Sequence, residues 1–409
     1  MTTHRDSDVL LWGATGFTGE LVAQYLLRHE GVGRNLRWSL GGRSKVKLEQ
    51  VRQRLTAIDP AAADLSLVVA DAQDAAAMLA LCAKFRVVCS TVGPYARFGS
   101  ELVAACAAQG THYCDLTGEV HWMRQMIDAH TVQAAQTGAR IVHACGFDSI
   151  PSDLGALQAW RALHLATGAP PTLVTTYVLD LKGGFSGGTA ASMVNMMEHR
   201  HDPGVAKAMM DPYSLLPEGA ARGPKVNDLQ GVVRDPIEGV WTAPFVMAAT
   251  NAKVVRRSLA LLFGDQASAC AYEEKMGYPL TAGGLAMAVG MTMGLATMAG
   301  TMSVGWMRRM MVPMLPQPGE GPSEQERDAG RFRYEVVARN AQGQARVRIT
   351  GDKDPGYGAT AGMLGEAALC LAFDPPPLPA IAGFLTPATA MGEALALRLP
   401  RAGVVFAAA

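Results

Sequence analysis

Charge is scarce in this sequence, and neither sign is in surplus. Lys plus Arg and Asp plus Glu each total 36 in 409 residues, 18% charged in all, so the formal net charge is zero. That argues against a nucleic-acid surface. No Cys-x-x-Cys pair occurs among Cys82, Cys89, Cys106, Cys114, Cys145, Cys270 and Cys370. An odd, scattered set argues against a disulfide framework or a zinc site of ordinary spacing, and it fits a reducing, cytoplasmic setting. The start, MTTHRDSDVLLWGATG, has no apolar run or small-residue cleavage site, so no secretory signal is expected. There is no internal repeat. No tyrosine is followed four positions later by a lysine, which removes the Tyr-x-x-x-Lys dyad of short-chain dehydrogenases. What the chain has in quantity is apolar residue, 49% of the total, which excludes disorder. At about 100–200 residues per domain, two or three structural units are expected.

From Asp8 to about Ala144, short β-rich runs alternate with helical stretches: Val9 to Trp12, Leu36 to Leu40, Leu65 to Val69, Val87 to Ser90, Thr111 to Leu116 and Arg140 to Ala144. Between the first two, Leu21, Val22, Tyr25 and Leu26 recur at helical spacing. Six strands with crossover helices read as an α/β, Rossmann-type doubly wound parallel sheet. After Pro151 the alternation is lost. Thr172 to Leu181 reads as a long strand, and FRYEVVARN with QARVRITG as a hairpin around Ala341 and Gln342. His201 to Pro244 reads as a long irregular lid or binding loop, and 313–330, rich in Pro and Gly, as a connector.

Between Lys275 and Arg308 no residue is charged. The stretch is long enough to cross a hydrocarbon core of ~30 Å, yet it is built of Gly, Ala, Thr and Met more than of Leu, Ile or Val. Three readings stay open: a buried or subunit-interface helix pair, an element lying against a membrane, and a true span. Contact of 276–307 with lipid or a second subunit is the expectation.

The strongest chemical signal is GATGFTG. Gly13, Thr15, Gly16, Phe17, Thr18 and Gly19 follow a strand and open a helix, as a dinucleotide-binding turn requires. At the end of the second strand, where an NAD enzyme offers an acidic residue to the ribose, stand Arg43, Ser44 and Lys47. A guanidinium and a hydroxyl there suit the 2′-phosphate of NADP. Asp71, after the third strand, is a candidate for the adenine amino group or a helix cap. Thr91, Val92, Gly93 and Pro94 lie at the carboxyl edge of the fourth strand, where small residues let backbone approach a nicotinamide ribose.

Two more loops share that edge, DLTGE (Asp115 to Glu119) and HACGFDSIPSDLG (His143 to Gly155), and KGGFSGGTAAS (Lys182 to Ser192) is a candidate substrate-binding stretch with Thr189 as a helix cap. His112 with Cys114, and His199 with His201, do not make a metal site, so no metal is expected. The proton donor stays open among Tyr95, Asp148, Ser149 and an ordered water.

Taken together, GATGFTG, GGRSKVKL, STVGPYARFG, GTHYCDLTGE and GFDSIPSDLG resemble the saccharopine dehydrogenase-like oxidoreductase family, most closely its trans-acting enoyl reductase branch. The resemblance is dense over 8–160, returns near Gly187 to Thr189 and at Asp354 to Leu369, and is thin from 200 to 340. It implies an NADP-binding Rossmann domain over 1–150, a second, mixed-sheet α/β domain over 151–354, and a C-terminal region, 355–409, that packs back on the first. It also implies reduction of a carbon–carbon double bond in a hydrophobic or carrier-linked acyl substrate. The alternatives are a saccharopine-type amino-acid dehydrogenase, which the uncharged middle of the chain suits poorly, and a lipid-associated nucleotide-binding protein without turnover.

Overall fold

The computed structural model describes residues 5–183, 187–226, 231–314, 321–377 and 380–409, with side chains at 187–191, 193 and 314 left aside. Fourteen strands are described: β1 (Ser7–Trp12), β2 (Trp38–Gly42), β3 (Ser66–Val69), β4 (Phe85–Ser90), β5 (His112–Asp115), β6 (Arg140–Val142), β7 (Leu173–Lys182), β8 (Val233–Asp235), β9 (Val240–Pro244), β10 (Ala271–Pro279), β11 (Arg331–Asn340), β12 (Gly343–Gly351), β13 (Gly383–Leu385) and β14 (Val404–Ala408).

They form two sheets of seven. The first runs β13-β6-β5-β4-β1-β2-β3 and is parallel throughout. The strand order reverses between β1 and β4, which is where open α/β sheets bind ligands at their carboxyl edge. The second runs β14-β12-β11-β7-β10-β9-β8; only β7 with β10 is parallel, so the sheet is mixed.

Period-two side-chain alternation divides the core. Val9 and Leu11 of β1 join the cluster shared with helices Phe17–Glu30 and Thr360–Phe373, while Leu10 and Trp12 join the cluster of the opposite face with Met78, Leu102 and Trp122. The helix Thr360–Phe373 is buried from Thr360 to Ala372 and packs on β4, β5 and the first helix. Residues after 355 therefore serve both sheets, β13 extending the first and β14 the second. Helix Ile150–Thr167 bridges the two sheets. Gly155 sits where a Cβ would lie 2.6 Å from Ile349 and 2.8 Å from Val336, so the helix axis comes close to the second sheet only because this residue has no side chain.

Two segments differ from the reading of the sequence, and a third narrows it. His201 to Pro244 is not irregular throughout: Asp202 caps helix Pro203–Met210, its carboxylate accepting the N–H groups of Gly204 and Val205, and β8 with β9 forms a hairpin. In 313–330, residues 315–320 lie outside the described residues, and Glu324–Asp328 is a short helix with a Ser323/Glu326 capping box. The uncharged stretch 276–307 ends β10 and then runs as one helix, Ala282–Ser303, followed by Gly305–Met311. The 22-residue helix is long and apolar enough to cross a membrane, and only 11% of its most apolar window is buried, so it is not an interior core helix.

Candidate active site

The glycine turn is built by close backbone contact. Gly13 has φ +94°, and a Cβ there would stand 2.7 Å from both Thr91 Oγ1 and Val92 Cγ2; at Gly19 it would stand 2.2 Å from the Gly13 carbonyl. Thr91 locks the arrangement by donating its hydroxyl to Gly13 O at 3.1 Å. Gly16, exposed, provides no side-chain cap to helix Phe17–Glu30. The first-turn N–H groups of Phe17, Thr18 and Gly19 therefore have no acceptor among the described residues and suit an anionic ligand at the positive end of the helix dipole. Thr15 packs beside Gly42, linking this turn to the end of β2.

Arg43 follows β2, is exposed, and makes no ion pair with any described residue; Lys47 is exposed one turn on. Ser44 caps helix Lys45–Thr56, its Oγ accepting the Lys47 N–H at 3.4 Å. Asp71 is exposed, and its Oδ1 accepts the Gln73 N–H at 3.0 Å, holding the turn that follows β3. Ser44 and Asp71 thus also do local structural work.

Thr91, Val92, Gly93 and Pro94 lie at the end of β4, joined to Tyr95 by a turn with a cis Gly93–Pro94 bond. Tyr95 opens helix Tyr95–Phe98 and is buried; its hydroxyl donates to Ser90 O and accepts the Leu116 N–H, both at 3.2 Å. Burial, reinforced by the nearby Asp115, pushes this phenol well above the ordinary tyrosine range. Beneath it, the buried carboxylate of Glu119 accepts the Tyr95 N–H at 2.8 Å, the Ala96 N–H at 3.0 Å and the Ser192 hydroxyl at 2.8 Å. Burial raises the Glu119 pKa, and these three bonds oppose the rise.

A cavity of about 640 Å³ opens from this edge and joins Thr18, Thr91 and Gly93 to three helices that follow β7. Its walls carry Met196 and Met197 of helix Gly187–Glu198, Met209 and Met210 of helix Pro203–Met210, Met247, and Met298 with Met302 of helix Ala282–Ser303. Methionines give an apolar, adaptable wall. Among the described residues that line it, Asp148 is the only charged one. No described residue hydrogen-bonds its carboxyl, and burial alone pushes its pKa up to about 6.

Of the three candidate proton donors, Tyr95 and Asp148 line the cavity; Ser149 does not. It is fully buried and donates its hydroxyl to Asn251 Oδ1 at 3.2 Å, away from the cavity. Ser192 lines the cavity, while residues 184–186 and the Thr189 side chain lie outside the described residues. The methionine wall and the role of Glu119 escaped the reading of the sequence, because Ser192 is more than seventy positions from Glu119 and the methionines lie on three separate helices. Among the described residues there is no cluster of metal-binding side chains.

Comparison with known proteins gives the family. Residues 9–142 match the saccharopine dehydrogenase NADP-binding domain. The chain is 39% identical over 422 residues to a trans-acting enoyl reductase of Mycobacterium tuberculosis, covering 98% of each. It is 42% identical over 414 residues to a second protein of that organism, given the same name provisionally, covering 98% of this chain and 97% of the relative. The fold is also that of apo saccharopine dehydrogenase (L-Glu forming) from Saccharomyces cerevisiae, with TM-score 0.51 and 12% identity over 98% of this chain and 100% of that one. The glycine cradle, the first-turn amides and Arg43, the last two without an acceptor or an ion pair among the described residues, are groups of the kind that would hold NADP. The chain is an NADP-dependent oxidoreductase and belongs to the saccharopine dehydrogenase-like family, in its trans-acting enoyl reductase branch.

Proposed function

We propose that the enzyme reduces a carbon–carbon double bond in a hydrophobic, carrier-linked acyl chain. The observation that carries this reading is the cavity. It begins at the cofactor edge, at Thr18 and Gly93, continues between methionine side chains, and carries one carboxyl and no basic residue among the described residues of its lining. A saccharopine-type substrate carries several carboxylates and would need arginine or lysine there; an acyl chain needs none. The relatives named trans-acting enoyl reductase support the same reaction class.

NADPH, when bound, supplies the hydride. The chain's own task is to orient the acyl group over Thr91 to Pro94, exclude water and deliver a proton to the carbon that does not receive the hydride. Asp148 is the donor in this reading: it faces the cavity, and burial holds it protonated up to about pH 6. Its proton passes to that carbon and is replaced from solvent after product leaves. Tyr95 braces the loop, since both functions of its hydroxyl are engaged by Ser90 and Leu116. Arg43, with Lys47, holds the 2′-phosphate. Ser149 supports helix Ile150–Thr167 through Asn251.

The outer face of helix Ala282–Ser303 has a role in this reading too. Its inner face lines the cavity, while Met287 and Met293 are 57% and 65% exposed; Trp306 and Met310 are exposed just beyond it, beside Arg308 and Arg309. An uncharged apolar face bordered by arginines and an aromatic suits an anionic lipid surface, with the enzyme working from the cytoplasm. A second copy of the chain on the same face is the competing outcome.

The test of the reaction is a chain-length series of 2-enoyl thioesters with NADPH. The expected result is turnover whose KM falls as the chain lengthens. Turnover on a saccharopine-like amino acid, and none on any thioester, would overturn the reading.

A further inference from the structure

We infer that Arg327 is a cofactor-phosphate ligand, delivered to the glycine turn by the segment that precedes β11. Sequence order hides this residue, some three hundred positions from the turn, but the fold brings it there. Its guanidinium carbon lies 5.6 Å from the centroid of the Phe17 ring, and Phe17 is the first residue of the helix whose opening N–H groups have no acceptor among the described residues. Gly321 packs so closely on Phe17 that a Cβ would stand 2.3 Å from its ring, and Tyr357 meets the ring edge-on with centroids 4.8 Å apart. Phe17 is thus enclosed by the segment that carries Arg327 and by the turn Pro355–Ala359.

Arg327 is held from its backbone and left open at its head. Helix Glu324–Asp328 is fixed by its capping box, and the Asp354 N–H donates to Arg327 O at 2.7 Å. The guanidinium donates once, from Nη1 to Pro322 O at 2.7 Å, and has no ion pair with any described residue. The two neighbouring carboxylates are engaged elsewhere: Glu326 with Ser323, and Asp354 with the Tyr357 N–H. A half-buried guanidinium with spare donors, against the first side chain of the helix whose opening amides have no acceptor among the described residues, matches the doubly charged pyrophosphate common to NADPH and NADH. Arg43, after β2, would instead meet the 2′-phosphate on the adenosine side.

The inference rests on the glycine turn holding a dinucleotide, and the experiment separates the two ideas. Dissociation constants for NADPH, NADH and adenosine 2′-monophosphate, which lacks the pyrophosphate, are measured by fluorescence and calorimetry on wild type, Arg327→Met and Arg43→Ala. Methionine keeps a stem against Phe17 and removes the charge, and Arg327→Lys, which keeps the charge without the fork, provides a second variant. Loss of the Arg327 contact should weaken NADPH and NADH alike, by about tenfold or more, and leave the monophosphate unchanged. Arg43→Ala should weaken NADPH and the monophosphate only. The Arg327→Met variant should also show a shallower salt dependence. NADPH and NADH constants within twofold of wild type in Arg327→Met, or equal weakening of the monophosphate, would overturn the assignment. Wild type binding neither dinucleotide would overturn the cofactor site itself.

Discussion

Ser192 donates its hydroxyl to Glu119 Oε1 at 2.8 Å, and the same oxygen accepts the Tyr95 N–H at 2.8 Å. One buried carboxylate thereby ties a helix of the cavity wall to the loop that ends β4. Removing Glu119 leaves two N–H groups without their acceptor, so Glu119→Ala should cost about 2–4 kcal/mol of stability and loosen cofactor binding. Ser192→Ala leaves both N–H bonds in place. It should cost about 1 kcal/mol and raise KM for the acyl substrate more than it changes NADPH affinity. Thermal unfolding and cofactor titration of the two variants check the order.

Arg43→Ala should weaken NADPH by roughly ten- to a hundredfold, the equivalent of about 1.5–3 kcal/mol for a charge-assisted bond, and leave NADH nearly unchanged. Equal losses for both cofactors would remove Arg43 from the 2′-phosphate.

Asp148 gives a pH signature in two measurements. Its folded pKa, raised to about 6 by burial, lies above the unfolded value, so the folded state binds the extra proton. The associated stability is complete at acid pH and is lost as pH rises through about 6. Asp148→Asn should therefore be more stable than wild type at pH 8, by about 1–3 kcal/mol after allowance for its partial exposure, and no different at pH 3. Turnover of wild type should decline above about pH 6, and Asp148→Asn should lower turnover by about 10²–10⁴ and lose that decline.

Tyr95→Phe separates brace from donor. With its hydroxyl engaged by Ser90 and Leu116, the substitution should cost about 1–2 kcal/mol of stability and change turnover by less than about tenfold. A fall of about 10² or more with unchanged stability would return the proton to Tyr95.

Met287→Lys with Met293→Lys places two charges on exposed positions of helix Ala282–Ser303. Flotation with anionic vesicles should fall several-fold while NADPH binding persists. A change in oligomer size without any change in flotation would assign the face to a second subunit.

The first sheet was legible because strict alternation and a glycine turn are local signals: each of the six expected strands corresponds to one of β1 to β6. The seventh, Gly383–Leu385, is three residues long and is made a strand by pairing with β6, more than two hundred positions earlier. Helix Pro203–Met210 had a readable start, Asp202 before Pro203, inside a stretch whose Pro and Gly content suggested a loop. Asp148 and Ser149 are adjacent and equivalent in sequence. Only the packing separates them, one facing the cavity and one facing Asn251. The methionine content of 276–307 is visible in the sequence, but the wall is not, because its members recur on helices that meet only in the folded chain.

The most direct test of the proposed reaction is transfer of label from NADPH deuterated at the hydride position to a long-chain 2-enoyl thioester, followed by mass spectrometry of the product. Wild type should give a saturated acyl chain carrying one cofactor-derived deuterium and one solvent proton, with the yield collapsing in Asp148→Asn. An acyl chain that comes back unsaturated and unlabelled, with NADPH bound but not consumed at any chain length, would contradict the assignment.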